Sequence, residues 1–289
     1  MRKLVIGCGD LGERIAACWM EQGHEVAALT RSADRAETFR SRGIEPFVGD
    51  VTDRDSLCSF SHFDTVLYAV GYDRSTGRSQ REIYVDGLRN VLEKIAMRVR
   101  HFLYISSTSV YGQTGGEWVD ETTECAPTSS NGQVCFDAER LVWSHFPAAP
   151  SSRCAHVLRL AGIYGPGRLL RRVESLKSEK KQAGNPDAYL NLIHVDDAVQ
   201  AILACEARGR AGATYLVCDG KPIRCSEFYE TLASLIGIPH PTFAANTDKT
   251  RLQGLNKRCC NKKLREELQV DLAYPTIKAG LPHALGDER

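Results

Sequence analysis

Gly7-Cys8-Gly9-Asp10-Leu11-Gly12 has the spacing of a loop that cradles a diphosphate. The first two glycines allow a tight turn and let an anion approach the backbone, and the third lets the following helix pack closely on a strand. Unpaired N–H groups and the positive dipole end of that helix complete the cradle. Some twenty residues on, Leu29-Thr30-Arg31-Ser32 puts a guanidinium between two hydroxyls, with no carboxylate, where the adenosine ribose of a dinucleotide belongs. A charge-assisted contact from Arg31, with Thr30 beside it, suits a 2′-phosphate, so NADP is the expected cofactor and NAD the less favoured one. Other reactive groups read as structural: His194-Val195-Asp196-Asp197 resembles a helix start more than a base. Cys8, Cys135 and the vicinal Cys259-Cys260 pair read as small packing residues rather than thiol sensors.

These residues need a scaffold, and the pattern supplies one. Residues 4–6, 25–29, 44–48, 65–70, 102–106, 155–160 and 214–217 are short runs of strand-forming residues bounded by turn residues. Between the first two, Leu11, Ile15, Cys18, Trp19 and Gln22 keep a helical spacing that stops at Gly23. Further helices are expected over 79–99, 134–146, 226–236 and 261–268. Strand, helix, strand, repeated, predicts an α/β chain with a Rossmann-type, doubly wound parallel sheet of about seven strands. After Gly165-Pro166-Gly167 the pattern breaks into basic and turn-rich sequence. The expected division is therefore a dinucleotide-binding domain over 1–164 plus 190–218 and a small C-terminal substrate lobe over 165–189 plus 219–289.

Composition narrows the classes. A chain of 289 residues, 43% hydrophobic and 25% charged, is neither disordered nor fibrous. Its 37 basic and 36 acidic residues give a net charge of +1, which offers no field to draw nucleic acid or an anionic membrane, and neither is an expected partner. Met1-Arg2-Lys3 precedes too short an apolar run for a signal peptide, and no stretch of about 18 apolar residues follows. The 11 cysteines form no C-x-x-C pair, so the expectation is no metal, no disulfide framework and a reducing cytoplasm.

Several further motifs stand in order along the chain: Gly49-Asp50-Val51, Tyr84-Val85-Asp86-Gly87-Leu88-Arg89-Asn90, Val110-Tyr111-Gly112, Tyr164-Gly165-Pro166-Gly167 and Ile193-His194-Val195-Asp196-Asp197. Together with the glycine loop they make nearly the whole chain resemble the extended short-chain dehydrogenase/reductases, the group that includes nicotinamide-dependent epimerases and dehydratases. The resemblance implies that Asp50 and Val51 flank the adenine, that Ala69, Val70 and Gly71 lie beside the nicotinamide ribose, and that the lobe after Gly165 binds substrate. It also implies a Tyr-x-x-x-Lys pair, the tyrosine exchanging a proton with the substrate and the lysine lowering its pKa, with an upstream hydroxyl that Ser107 matches. Ala138-Glu139 fixes the register and puts Asn131 and Cys135 in the Tyr and Lys places. No tyrosine occurs between Tyr111 and Tyr164. The chain is thus an atypical member, and Tyr84, ahead of Tyr111, Tyr164 and Asp86, is the candidate for a relocated acid.

Two functions follow. One is an NADP(H)-binding, epimerase/dehydratase-like oxidoreductase for a small carbonyl, hydroxyl or sugar-nucleotide-like substrate. An anionic substrate would meet Arg168 and Arg258, members of the basic clusters around Arg171, Arg172, Lys257, Lys262 and Lys263. The other is a non-catalytic sensor in which NADP(H) occupancy shifts a conformation. A monomer, or a homodimer formed through the helices over 79–99 and from 134, is expected in either case.

Overall fold

A computed structural model describes residues 1–57, 60–146, 152–178, 181–182, 184–244 and 256–286. Strands β1 (Arg2–Ile6), β2 (Glu25–Thr30), β3 (Glu45–Val48), β4 (Phe63–Tyr68), β5 (Val99–Ser107), β6 (Cys154–Leu160) and β7 (Thr214–Val217) form one seven-stranded sheet. Its order is β7-β6-β5-β4-β1-β2-β3, and the sheet is parallel. In β1, for example, Leu4 pairs with Ala27 on one side and Val66 on the other. Because helices cover both faces, the central strands are apolar throughout, and Leu4, Val5 and Ile6 have no exposed surface. The chain moves outward from β1 to β2 and β3, then returns past β1 to β4, which opens a crevice at the carboxyl ends of β1 and β4.

Two compact units divide the chain. The first comprises 1–110, 127–159 and 202–215 and holds nearly all of the sheet together with α1 (Asp10–Glu21), α2 (Ala33–Ser41), α3 (Gly87–Ile95) and α4 (Ser130–His145). The second comprises 111–126, 160–201 and 216–289. It contains α5 (Leu170–Lys177), α7 (Cys225–Leu235), α8 (Lys262–Glu267) and α9 (Ile277–Ala284), with short two-stranded pairs between them. Helix α6 (Val195–Arg208) begins in the second unit and ends in the first. The second unit has its own core, with Tyr164, Phe228, Leu232 and Leu281 at its centre. No helix of the described residues is long and apolar enough to cross a membrane.

Three local departures from the sequence pattern have physical causes. Where one helix over 79–99 is expected, a π-helical turn (Glu82–Asp86) leads into α3, a 3-10 turn (Ala96–Arg98) closes it, and Val99 already pairs with Phe63 in the sheet. Val99 is β-branched and fully buried, and the sheet claims it. Strand β4 stops at Tyr68 rather than Val70, which leaves Ala69 and Val70 to turn at the carboxyl edge. Helix α5 forms where the sequence reads as turn-rich, and α9 where no element is expected; α9 carries Gly280 and Pro282, and Gly280 is required because the Tyr164 hydroxyl occupies the place of a Cβ.

Polar groups pin both edges of the sheet in the first unit. At its amino edge Glu206 takes the Lys3 ammonium at 2.7 Å, the Thr65 hydroxyl at 2.6 Å and the Trp19 indole N–H at 2.8 Å. Near the carboxyl edge Arg159 of β6 makes a two-pronged pair with Glu139 of α4, through Nε at 3.0 Å and Nη2 at 2.7 Å. Ser106 of β5 donates to the same carboxylate at 2.6 Å. Glu139 and Arg159 are 1% and 6% exposed, so neither charge has water to fall back on. Glu139→Leu should therefore cost about 3–5 kcal/mol, because it takes the carboxylate away from a buried guanidinium, and pairing it with Arg159→Met should recover most of the loss. Urea unfolding of the three proteins checks this; a single variant within 1 kcal/mol of the parent would show the pair to be dispensable.

Candidate functional site

The glycine loop lies at the crevice edge and its geometry separates the roles of its glycines. Gly7 follows β1 with φ +88°, a left-handed conformation, and a Cβ there would strike the Val70 nitrogen and stand 2.5 Å from the Ala69 oxygen. Ala69 is held in place by its N–H, which donates to the Ile6 carbonyl at 2.8 Å. The structure thus brings together Gly7, Ala69 and Val70, with Gly71 exposed beyond them. A Cβ on Gly12 would meet the Gly7 carbonyl at 2.7 Å, so its bare α-carbon is what lets α1 lie on β1. Gly9 differs: its backbone is extended, and no atom lies within 4 Å of where its Cβ would be.

The start of α1 has no side-chain cap, so its first N–H groups face the open side beside Gly9. Leu11 is buried, and Asp10 is turned outward to Arg14 at 3.0 Å. At the end of β2, Thr30 accepts from the Ser32 N–H at 3.2 Å, and Ser32 caps α2 by accepting from Arg35. Arg31 is exposed and pairs with Asp73 at 3.2 Å, whereas Arg35 reaches back to the loop, donating to the Cys8 carbonyl and to Glu13, each at 2.5 Å. Beyond β3, Asp50 closes its own turn by accepting from the Thr52 N–H and hydroxyl at 2.8 Å. Val51 is locked from α3: its carbonyl accepts from Asn90 at 2.9 Å, and its side chain fills the space that a Cβ on Gly87 would need.

On the proton-transfer side, Ser107 ends β5 half-buried, and its oxygen accepts the Ser109 N–H at 3.1 Å. Gly132 allows α4 to start against the Ser109 carbonyl, which a Cβ would strike. Cys135, one turn on, is buried, and burial pushes its thiol up, so it is neutral near pH 7. Tyr84 is half-buried on the π-helical turn with its ring 6.4 Å from that of Tyr72. Burial first, and Cys135 second, push its phenol up, while the Tyr72 N–H pulls it back, and among the described residues the groups acting on it include no cation. No hydrogen bond joins Tyr84 to Ser107 among the described residues.

In the second unit Arg168 is exposed after the Gly165 turn. Arg258 lies between two aromatic faces, 5.0 Å from the Trp118 ring and 5.2 Å from Tyr189, and donates to the Gly116 carbonyl at 2.7 Å. His194, Asp196 and His283 form a group of metal-ligand type whose ligand atoms lie within 4.8 Å of one another. The Asp196 N–H can only donate, so His194 Nδ1 accepts it at 3.2 Å, and the neutral ring then carries its proton on Nε2, 3.2 Å from His283 Nδ1. Both ring nitrogens are engaged within the protein, and Tyr274 packs 3.9 Å from the ring.

Asp73 and Glu13 are the candidate site residues that sequence reasoning did not single out, whereas Arg35, expected from its place beside Arg31 to bear on the nucleotide balance, does reach the loop. Arg31 and Asp73 are separated by 42 positions, and no spacing rule connects them.

Residues 4–218 match the NAD dependent epimerase/dehydratase family. Protein YeeZ of Escherichia coli K12 is 28% identical over 282 residues, which cover 95% of this chain and 97% of YeeZ. A functionally unknown protein of Silicibacter pomeroyi superposes with a TM-score of 0.80 at 30% identity, over 99% of this chain and 98% of that one. MoeE5, solved with UDP-glucose and NAD, gives a TM-score of 0.81 over 100% of this chain and 99% of its own, but at 21% identity that likeness concerns the fold.

The open space at Gly9 yields a direct test. Gly9→Val places a side chain where nothing of the protein stands, in a backbone conformation that valine adopts, so the variant should fold with an unchanged circular dichroism spectrum. It should nevertheless lose nicotinamide-nucleotide binding in a fluorescence titration, since the added methyls fill the approach to the helix start. Normal binding by the folded variant would remove the loop from the site. Gly7→Ala should instead impair folding.

Proposed function

The chain belongs to the NAD dependent epimerase/dehydratase family, within the extended short-chain dehydrogenase/reductases, and from that premise we propose that it is an NADP(H)-binding oxidoreductase of weakened acid–base power. The observation that carries the reading is the glycine cradle: Gly7 folded against Ala69 and Val70, and an uncapped helix start facing open space at Gly9. Gly7, Gly9, Gly12 and the first N–H groups of α1 would hold the diphosphate, Arg31 the 2′-phosphate, Asp50 and Val51 the adenine, and Ala69 to Gly71 the nicotinamide ribose. Bound there, the nicotinamide supplies hydride transfer to or from a carbonyl carbon.

The chain's own residues then have limited work. Ser107 keeps its hydroxyl proton free to orient a substrate oxygen. Tyr84 is the candidate acid: burial keeps its phenol protonated, so it can donate but does not act as a base near neutral pH. The family's lysine would lower such a phenol, and the buried neutral Cys135 cannot take that part. General acid–base catalysis contributes about 10² to 10⁴ in rate, and most of that is expected to be missing. Arg168 and Arg258 are assigned to an anionic portion of a small carbonyl, hydroxyl or sugar-nucleotide-like substrate, a class consistent with the UDP-glucose held by MoeE5. The described cysteines are all free, which suits a reducing cytoplasm.

A second reading, a non-catalytic NADP(H) sensor, is favoured by the lack, among the described residues, of a cation acting on Tyr84. Turnover separates the two. With NADPH and a panel of carbonyl compounds and sugar nucleotides, slow turnover that falls further in Ser107→Ala and rises in Asn131→Tyr/Cys135→Lys supports the enzyme. Tight binding with no turnover on any of them supports the sensor. In either case Arg31→Ala should weaken NADPH binding by about ten- to a hundredfold and leave NADH nearly unchanged. Equal losses for both nucleotides in calorimetric titration would overturn the NADP assignment.

A further inference from the structure

We infer that Asp73 is a specificity-determining residue for the nucleotide, holding in the unliganded protein the Arg31 guanidinium that a 2′-phosphate would take and so restraining the preference for NADP(H) over NAD(H). The inference rests on the cofactor reading above. Its basis is where the two residues sit. Arg31 directly follows β2, and Asp73 stands five residues beyond the end of β4. Strand β1 lies between those strands, so the ion pair bridges two strand spacings, roughly 10 Å, along the carboxyl edge that β1 shares with the glycine loop. Among the described residues Asp73 is the charged partner of Arg31, whereas Arg35 is already committed to Glu13 and the Cys8 carbonyl.

Asp73 is placed by its own loop and not by Arg31. Its Oδ1 accepts the Ser75 N–H at 3.0 Å and the Ser75 hydroxyl at 2.6 Å, capping the short turn Arg74–Thr76. The other oxygen, Oδ2, is left to Arg31 at 3.2 Å. The hydrogen bonds from Ser75 and the nearby guanidinium hold the carboxyl below its usual range, so it is ionised at neutral pH. A fixed carboxylate beside the guanidinium acts against a phosphate twice: it competes for Arg31, and it remains nearby as a like charge once displaced. The phosphate still wins, because it carries more charge and more acceptor oxygens than a carboxylate, and the Arg31–Asp73 pair is about half exposed and correspondingly weak. A free ribose hydroxyl meets neither obstacle.

Asp73→Asn isolates the charge, since the asparagine oxygen can still cap the turn. Asp73→Ser, a second capping residue, guards against a folding defect peculiar to one substitution. The measurement is the dissociation constants of NADPH and NADH for the full chain and both variants, by fluorescence titration at low and at raised sodium chloride, with folding followed by circular dichroism. NADPH affinity should rise about two- to tenfold in both variants, NADH should move less than twofold, and the gain should shrink as salt screens the carboxylate. An unchanged or lowered NADPH-to-NADH preference in the folded variants, alongside normal wild-type binding, overturns the role of Asp73 alone. Wild-type protein that binds neither nucleotide overturns the cofactor reading itself, and the inference with it.

Discussion

The buried Arg159–Glu139 pair and the Ser106 hydroxyl bound to it set the geometry on which the candidate site depends. Each member comes from a different element, β6, α4 and β5, and the carboxylate sits where those elements meet. Burying an ion pair is no easy source of stability, since both charges surrender their hydration. What it provides is position: the fork of the guanidinium fixes the carboxylate in a plane, and the carboxylate fixes the rotation of α4 about its own axis. Ser107 is the next residue after Ser106, and Cys135 lies one turn before Glu139. The same constraint therefore sets where the serine hydroxyl stands and which face of α4 is turned toward Tyr84.

The glycine loop is governed by steric exclusion. Gly7 and Gly12 are glycines because protein atoms occupy the space of a Cβ, while Gly9 is a glycine with nothing beside it. Only the last calls for a ligand to explain it, and this is why the loop supports a binding function and not merely tight packing. The charges around it complicate the picture drawn from composition. The end of β2 has no carboxylate of its own, yet Glu13 and Asp73 bring two from other elements, each paired with an arginine. On the cofactor reading proposed above, a nucleotide would meet neutralised guanidinium groups there, and selectivity would be a matter of exchange between anions.

Much of this was legible in the sequence, and the division follows the range of the interactions. All the strands of the sheet could be read, because short β-branched runs between turn residues depend on their own local pattern, as at residues 4–6 and 214–217. The placement of Gly7 against Ala69 and Val70 arises instead from sheet order, which sets β4 beside β1. Helix α9 was illegible because its Gly280 and Pro282 oppose helix locally, and the packing of Tyr164 onto Gly280 outweighs them. Asp73 was illegible for the complementary reason: its part in the site arises from sheet order, which brings the residues after β4 near the end of β2, and nothing in the spacing of acids along the chain encodes it.

What α4 retains and what it lacks bear on the choice between enzyme and sensor. The positions that hold the helix in place are all present: Gly132 against Ser109, Ala138 in the core, Glu139 on Arg159. In the register that the resemblance implies, the places of the tyrosine and its lysine carry Asn131 and Cys135, side chains that can neither ionise usefully nor lower the pKa of a neighbour. A scaffold kept under tight steric and electrostatic constraint while its acid–base groups differ is what folding and cofactor binding together require, and fold membership alone does not supply the chemistry. The Ser107 hydroxyl tips the balance. Its oxygen accepts the Ser109 N–H and so caps the turn Thr108–Val110, and among the described residues its proton meets no acceptor, which leaves it able to serve a substrate oxygen as proposed above.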